Sequence, residues 1–343
     1  MATDYKHGLG PIENNNNSVP LILDFGGLTL RPHWEDPGWI ESTQDLCENP
    51  NLLLNEPVNV AIYNHIFYPE VYKELVEACN VLPKASHFVT TDSVDKASII
   101  QAMHSRWSCH RDIEIRVMPN RGRDLAPLLC AWGMEPAQQP VVLHLHSKVS
   151  SYNTEFGTSW RQHMLKELLN SEQHCTAAII KERLGLVIPW PHPLVAPCCH
   201  WGPNYGRTKL LLGHLGVELK RYHPLSFPAG SFFWCAGATL KPLLELGLKI
   251  DNFAAEPIGQ DGFLPHVLER CFGFLPWITN QSIAVMASTE HKSCKIVRLP
   301  NPFCEDACYY EIYENLLELY LQNHSDLFGG QPFHMSGPIL TGP

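Results

Sequence analysis

Positive charge is in short supply. The chain has 25 Lys and Arg against 35 Asp and Glu in 343 residues, a formal charge of −10, and only 17% of its residues are charged. Such a chain lacks the basic footprint that nucleic acid binding needs, so nucleic acid is excluded as the expected partner. No run approaches the roughly 20 apolar residues of a membrane span. The polar start, Met1 to Asn17, has no apolar stretch of the secretory type. Paired Cys-x-x-Cys spacing is missing from the 12 cysteines; Cys198-Cys199-His200 and Cys304-x3-Cys308 are the clusters that suggest metal. A structural zinc is therefore not expected. Reduced thiols and a cytoplasmic location, at most peripheral at a membrane, are the expectation. Internal repeats are absent too. What is abundant is apolar composition, 45%, which excludes an intrinsically disordered protein. An acidic shell with little positive charge still leaves room for a small basic pocket.

Three regions are expected. Residues 1–56 read as an arm, with the Asn14 to Asn17 tract in its first part and about 18 disordered residues at the start. Residues 57–290 read as the catalytic domain. Residues 291–343 read as a tail with one helix over Asp306–Gln322. That helix is apolar at Tyr309, Ile312, Tyr313, Leu316 and Tyr320 and acidic at Glu311, Glu314 and Glu318, which disfavours docking on anionic lipid.

Between the arms the pattern alternates. Apolar runs predict strands at Val58–Tyr63, His87–Thr90, Ile113–Val117 and Val141–His146. Helical spacing lies between them at Tyr68–Cys79, Val94–Met103 and Leu125–Trp132. Strand and helix in this order predict an α/β fold with a mostly parallel sheet and helices on both faces. The second half is less regular. It predicts helices at Trp160–Asn170, at Ala238–Leu246 and from Asp261, strands at Leu186–Pro189 and Ser231–Trp234, and a loop over 189–207. Ligands of such sheets bind at the carboxyl ends of the strands.

Three clusters there have chemical content. Asn120-Arg121-Gly122-Arg123-Asp124 joins a strand to a helix, and two guanidinium groups beside backbone N–H groups suit a phosphate. Asp124 also reads as an ordinary N-cap. His144-Leu145-His146-Ser147-Lys148 ends the fourth strand, with both histidines on one face by alternation. The two imidazoles can hold a metal, or Lys148 can neutralise a leaving diphosphate without one. Asp261-Gly262 opens a helix that carries His266, Glu269 and Arg270; Asp261 reads as a cap or a base, and Glu269 with Arg270 as an ordinary helix ion pair. Aromatic residues near Trp160, and in Phe232-Phe233-Trp234, suit either a sugar face or a core.

At these residues the chain resembles the rhamnan synthesis protein F family. The similar segments are Val60 to Tyr68, Phe88 to Thr91, Asn120 to Asp124, Leu143 to Lys148 (with Ser147 where the family has Thr), Gly157-x-x-Trp160-Arg161, and Asp261-Gly262 with His266, Glu269 and Arg270. They occur in the family's order across about residues 58–285. The resemblance implies a glycosyltransferase A-type-like fold. It also implies transfer of a deoxyhexose, rhamnose in kind, from a nucleoside diphosphate sugar to a cell-surface glycan or lipid-linked glycan acceptor. On that reading Arg121, Arg123 and Lys148, with Asn120, Gly122 and His146, hold the donor diphosphate. Thr91 and Asp92 contact the nucleoside, and Asp124 a hydroxyl. Asp261 is the base, with His266 second. His65, Tyr68, Trp160, Arg161 and Trp234 line the acceptor side. That fold commonly carries an Asp-x-Asp metal motif where His144–Lys148 stands here, so no cofactor is certain and a divalent metal stays open. Two rivals remain: a non-catalytic glycan- or nucleotide-binding component of a polysaccharide assembly complex, and a metal-dependent hydrolase using His144 and His146.

Overall fold

The computed structural model describes residues 45–149, 154–192, 194–195, 199, 201–219, 225–259, 261–288 and 294–299. Its centre is an eight-stranded sheet. In chain order the strands are β1 (Val60–His65), β2 (Ala85–Thr91), β3 (Ile113–Val117), β4 (Val141–His146), β5 (Leu184–Pro189), β6 (Phe233–Cys235), β7 (Ser282–Ser288) and β8 (Cys294–Arg298). In space they run β3-β2-β1-β4-β6-β5-β7-β8.

The helices are α1 (Tyr72–Cys79), α2 (Val94–Trp107), α3 (Leu125–Cys130), α4 (Glu135–Gln138), α5 (Thr154–Leu169), α6 (Glu172–Lys181), α7 (Tyr205–His214), α8 (Gly237–Leu244), α9 (Leu264–Cys271) and α10 (Leu275–Ile278). Alternation along the strands sorts the core into two layers. Val60, Ile62, Leu143, Leu145 and Trp234 pack with α1, α2, α5 and α6 on one face. Ala61, Tyr63, Val142 and Phe233 pack with α3, α8, α9 and α10 on the other. Strands buried on both faces read as the unbroken apolar runs seen in β1 and β4. Each fully buried Ile or Leu there contributes about 1.5–3 kcal/mol.

The sheet is mixed rather than purely parallel: six of its eight strands run the same way, and β6 and β8 are reversed. β1 pairs in parallel with β2 and β4, β2 with β3, and β5 with β7. β6 is antiparallel to both of its neighbours, and β8 is antiparallel to β7. β6 is three residues long and lies between β4 and β5.

The expected end of the domain at 290 falls between the paired strands β7 and β8. The arm also touches this edge: Asp45 bridges to Val297, and its Oδ1 accepts from the backbone N–H of Ile296 at 3.1 Å. Lys181 donates to the carbonyls of Asn51 and Leu53 at 2.9 and 2.6 Å. Residues 1–44 of the arm, residues 300–343 of the tail with its Asp306–Gln322 helix, and Cys198 and His200 lie outside the described residues, as do Cys304 and Cys308 within that tail. Among the described residues no helix is long and apolar enough to cross a membrane.

Candidate functional site

The parallel pairing brings the carboxyl ends of β1, β2 and β4 side by side, with His65 opposite both His146 and Thr90. His65 Nδ1 lies 3.0 Å from the Thr90 hydroxyl. His144 and His146 share the α9 side, as alternation predicts, and their rings lie 6.5 Å apart, 27° from parallel. Each spends one nitrogen on a backbone carbonyl: His144 Nδ1 on Ser231 at 2.6 Å, His146 Nε2 on Gly230 at 2.7 Å. A carbonyl only accepts, so those nitrogens carry the protons and the other nitrogens keep their lone pairs. Burial lowers all three histidines, His65 and His146 to about 4, so they are neutral at pH 7.

The turn at Gly230 and Ser231 is the hub. Both residues have left-handed backbone, φ 84° and 59°. Gly230 donates its N–H to Glu269 Oε1 at 2.7 Å while its carbonyl takes His146. A Cβ on Gly230 would stand 2.7 Å from the Trp160 ring. Lys148 Nζ sits 4.1 Å from the centre of a Trp160 ring. One glycine thus gathers an acid, an imidazole, an indole and an ammonium group.

Over this floor lies the Asn120–Asp124 loop. Gly122 has φ 66°, and a Cβ there would meet Ala126 and Phe253 at 2.5 Å, so only glycine fits. The loop is clasped by residues 253–259. Arg121 donates to the Phe253 carbonyl at 2.9 Å, and Arg123 to the Gly259 carbonyl at 3.0 Å. Glu256 Oε1 accepts the Arg123 backbone N–H at 3.1 Å, and the Glu256 N–H returns to the Asn120 carbonyl at 3.3 Å. Each guanidinium has five N–H donors, so the clasp leaves most of them for a ligand.

Asp124 is not a side-chain N-cap, contrary to one expectation. Its backbone is already helical, φ −86° and ψ −25°, and its side chain makes no capping bond. A cap needs extended backbone to swing the carboxylate back over the first turn. Instead Asp124 is buried, and its Oδ2 has no hydrogen-bond partner. Burial pushes its carboxyl up, but His146, His144, a backbone hydrogen bond and His65 together hold it below the ordinary value. Lys148 is lowered, first by burial, with Arg123 pushing the same way and Asp124 and Glu269 opposing.

Asp261 is not the start of α9 either. The helix begins three residues later, where His266 Nδ1 accepts the Phe263 N–H at 3.1 Å. Asp261 instead ties two segments together: its Oδ1 accepts from Asn204 at 2.6 Å and from the Gly262 N–H at 2.9 Å, and its Oδ2 faces Arg270 at 3.4 Å. His266 is buried and lowered to about 4, chiefly by burial and then by Arg123. With Nδ1 accepting, its proton is on Nε2, which has no partner.

Other expected residues have partners within the protein. Thr91 donates to the Ile66 carbonyl at 2.7 Å, and Asp92 pairs with Lys96 at 2.6 Å. Tyr68 and Phe67 give their N–H groups to the Ser147 hydroxyl at 3.0 and 2.8 Å, which ties β4 to the end of β1. Trp234 is wholly buried and donates to the Leu168 carbonyl at 2.9 Å, so it is core rather than groove. Arg161 is buried too. It forks onto Glu74 at 2.7 and 3.0 Å and reaches the Lys148 carbonyl at 2.5 Å, joining α5 to α1 and to the end of β4. Arg116 pairs with Glu114 at 2.6 Å, three strands from β4. The basic character of the site therefore rests on Arg121, Arg123 and Lys148.

Glu269 was legible only as a helix ion pair. Its Oε2 lies 3.7 Å from Arg270, and burial raises it to about 7 against the opposing Arg270 and Gly230 N–H. Among the described residues, no three His, Cys, Asp or Glu side chains group as a metal site. His144 and His146 each give one N–H to a carbonyl and keep the other nitrogen's lone pair, as a metal-ligating imidazole does, but among the described residues no third ligand groups with them.

A model of the family described as rhamnan synthesis protein F matches residues 41–281. Among curated proteins, the chain is 28% identical over 245 residues to "Uncharacterized protein WxcX" from two strains of Xanthomonas campestris pv. campestris, one of them B100. The match covers 68% of this chain and 34% of each relative, so the chain spans about a third of the length of these curated proteins.

Proposed function

This chain belongs to the rhamnan synthesis protein F family, and on that premise we propose that it transfers a deoxyhexose, rhamnose in kind, from a nucleoside diphosphate sugar to a growing glycan. One observation carries the reading. A buried Asp124, neutral histidines and Lys148 meet under the Arg121–Arg123 loop at the carboxyl ends of β1 and β4. That is where an α/β sheet takes a nucleotide. The likeness to a glycosyltransferase A-type fold is an analogy of architecture, a mixed sheet flanked by helices.

The reaction breaks the bond between the anomeric carbon and the diphosphate, so charge builds on the leaving oxygens. Fixed donors aimed there supply most of the stabilisation. Arg121, Arg123 and Lys148 carry it. His266 adds a neutral Nε2–H, a role as donor rather than as base. Asp124 accepts a hydroxyl of the donor at its unpartnered Oδ2. Asp92, just past the end of β2, stands toward the nucleoside, and Thr91, fully buried with its hydroxyl on the Ile66 carbonyl, leaves that role. His65, Tyr68 and Trp160 stand toward the acceptor, and buried Trp234 and Arg161 leave that group. Asp261, which the sequence suggests as a base, is held by Asn204, the Gly262 N–H and Arg270 and takes no part in this step.

Calorimetry against uridine, thymidine and guanosine diphosphate sugars tests this. One of them binds the wild type, and Lys148→Met weakens that binding at least tenfold. No binding by any member of the panel defeats the proposal. Binding without turnover favours a non-catalytic component of a polysaccharide assembly complex.

A further inference from the structure

We infer that Glu269, not Asp261, is the acid–base group of this site, taking the proton of the acceptor hydroxyl as it attacks the anomeric carbon. The inference rests on the proposed glycosyl transfer and names the residue that moves its proton.

The geometry separates the two carboxylates. Asp261 is a tie: Oδ1 accepts from Asn204 and the Gly262 N–H, and Oδ2 faces the Arg270 guanidinium. Its lone pairs are spent on holding α9 against residues 202–204. Glu269 Oε1 accepts one N–H, from Gly230 at 2.7 Å. Its Oε2 stands 3.7 Å from Arg270, beyond hydrogen-bond reach, and is left to accept from a ligand.

The surroundings of Glu269 are those of a reacting centre. Through Gly230 it is joined to His146, and the same glycine rests against the Trp160 ring that Lys148 caps. The charged and titratable groups facing it are Arg270 on α9, Asp124 at the start of α3, Lys148 beyond β4, and His146 through the turn. The balance among them leaves Glu269 near the protonation midpoint at neutral pH, where a general base works best. The Gly230 N–H pins one oxygen and so orients the other.

The step balances without a co-reactant. The acceptor oxygen forms a bond to the anomeric carbon as the bond from that carbon to the diphosphate oxygen breaks. The electron pair leaves with the diphosphate, beside Arg121, Arg123 and Lys148. The hydroxyl proton passes to Glu269.

The test uses the full chain and a nucleoside diphosphate sugar that the panel shows to bind. Donor turnover is followed from pH 5 to 9 in wild type, Glu269→Gln, Glu269→Asp and Asp261→Asn, with donor affinity measured in parallel. Wild-type turnover should rise with pH through a midpoint near 7. Glu269→Gln should lose about 10²–10⁴-fold in turnover while binding donor within about threefold of wild type. Glu269→Asp should keep part of the rate with a shifted midpoint, a change that a purely structural role would not produce. Asp261→Asn should stay within about tenfold and keep the wild-type limb. Glu269→Gln within tenfold of wild type, or a limb lost in Asp261→Asn and kept in Glu269→Gln, overturns the inference and leaves the transferase reading standing. No donor bound by the wild type overturns the parent reading, a separate result.

Discussion

Replacing Glu269 by Gln changes how stability depends on pH, and it does so whatever the substrate is. The carboxyl titrates at about 7 in the folded chain, against an ordinary value of 4.5. Its folded pKa is raised, so between these values the folded state binds more protons than the unfolded state. Stability then falls as pH rises. At pH 5 the unfolded carboxyl is already about three-quarters ionised while the folded one is protonated, and the difference costs the fold under about 1 kcal/mol. At pH 8 the unfolded carboxyl is fully ionised and the folded one has been forced to ionise against burial, so the cost reaches about 3 kcal/mol. The wild type should therefore lose about 2.5 kcal/mol between pH 5 and 8 that Glu269→Gln does not lose. If the folded carboxyl titrates at 6 rather than 7, the difference is still about 1.3 kcal/mol. Urea unfolding at half-unit pH steps, with equal slopes for both proteins, measures it. Parallel curves, differing by under about 0.5 kcal/mol over the range, would refute the reasoning. They would mean that water reaches Glu269, or that Arg270 outweighs its burial.

Three further outcomes follow. Gly230→Ala forces a methyl to 2.7 Å from the Trp160 ring at φ 84°; it should cost about 1–3 kcal/mol in urea unfolding, and Trp160→Leu in the same chain should recover part of the loss. Gly122→Ala meets Ala126 and Phe253 at 2.5 Å at φ 66°. It should cost a similar 1–3 kcal/mol or so and weaken donor binding, because the loop cannot stay closed on residues 253–259. His87 is buried and lowered to about 3, by burial and then by His104 and His110. Here the unfolded state binds the extra proton below 6.5, so stability falls with falling pH. Wild type should lose about 2 kcal/mol more than His87→Leu between pH 7 and 5, read from the same unfolding curves.

The first half of the fold was open to reading because its strands are buried on both faces. Val60 to Tyr63 and Val141 to His146 are runs that only a covered sheet needs. The second half hid some of its elements for identifiable reasons. The sequence places β6 at Ser231–Trp234 instead of Phe233–Cys235, because three residues show no period. α7 begins inside the Pro- and Trp-rich stretch 189–207 that reads as loop, and α6 follows α5 after two residues, without a breaker between them. In the site, the Arg-Gly-Arg-Asp loop and His144 to Lys148 were visible because position at a strand end and residue type agree. Gly230 and Ser231 were not, since they act through backbone carbonyls that carry no residue signature. Glu269 looked like an ion pair because its distinction is burial, which helical spacing cannot report. Trp234 and Arg161 were drawn toward the acceptor side because an aromatic or a cation looks alike in sequence whether it is packed or free.

The reversed direction of β6 has an outcome of its own. Apart from β8, every other strand runs the same way, so their last residues meet at one rim. A strand laid in reverse brings its first residues to that same rim. The approach to Phe233 is thus a second entry point for polypeptide, independent of the loops that follow β1, β2 and β4. Leu225, Phe227 and Ala229, on that approach, share a buried core with Val267 and Cys271 of α9. The turn that carries His144, His146 and Glu269 is thus set by packing on α9 as well as by the rungs of the sheet.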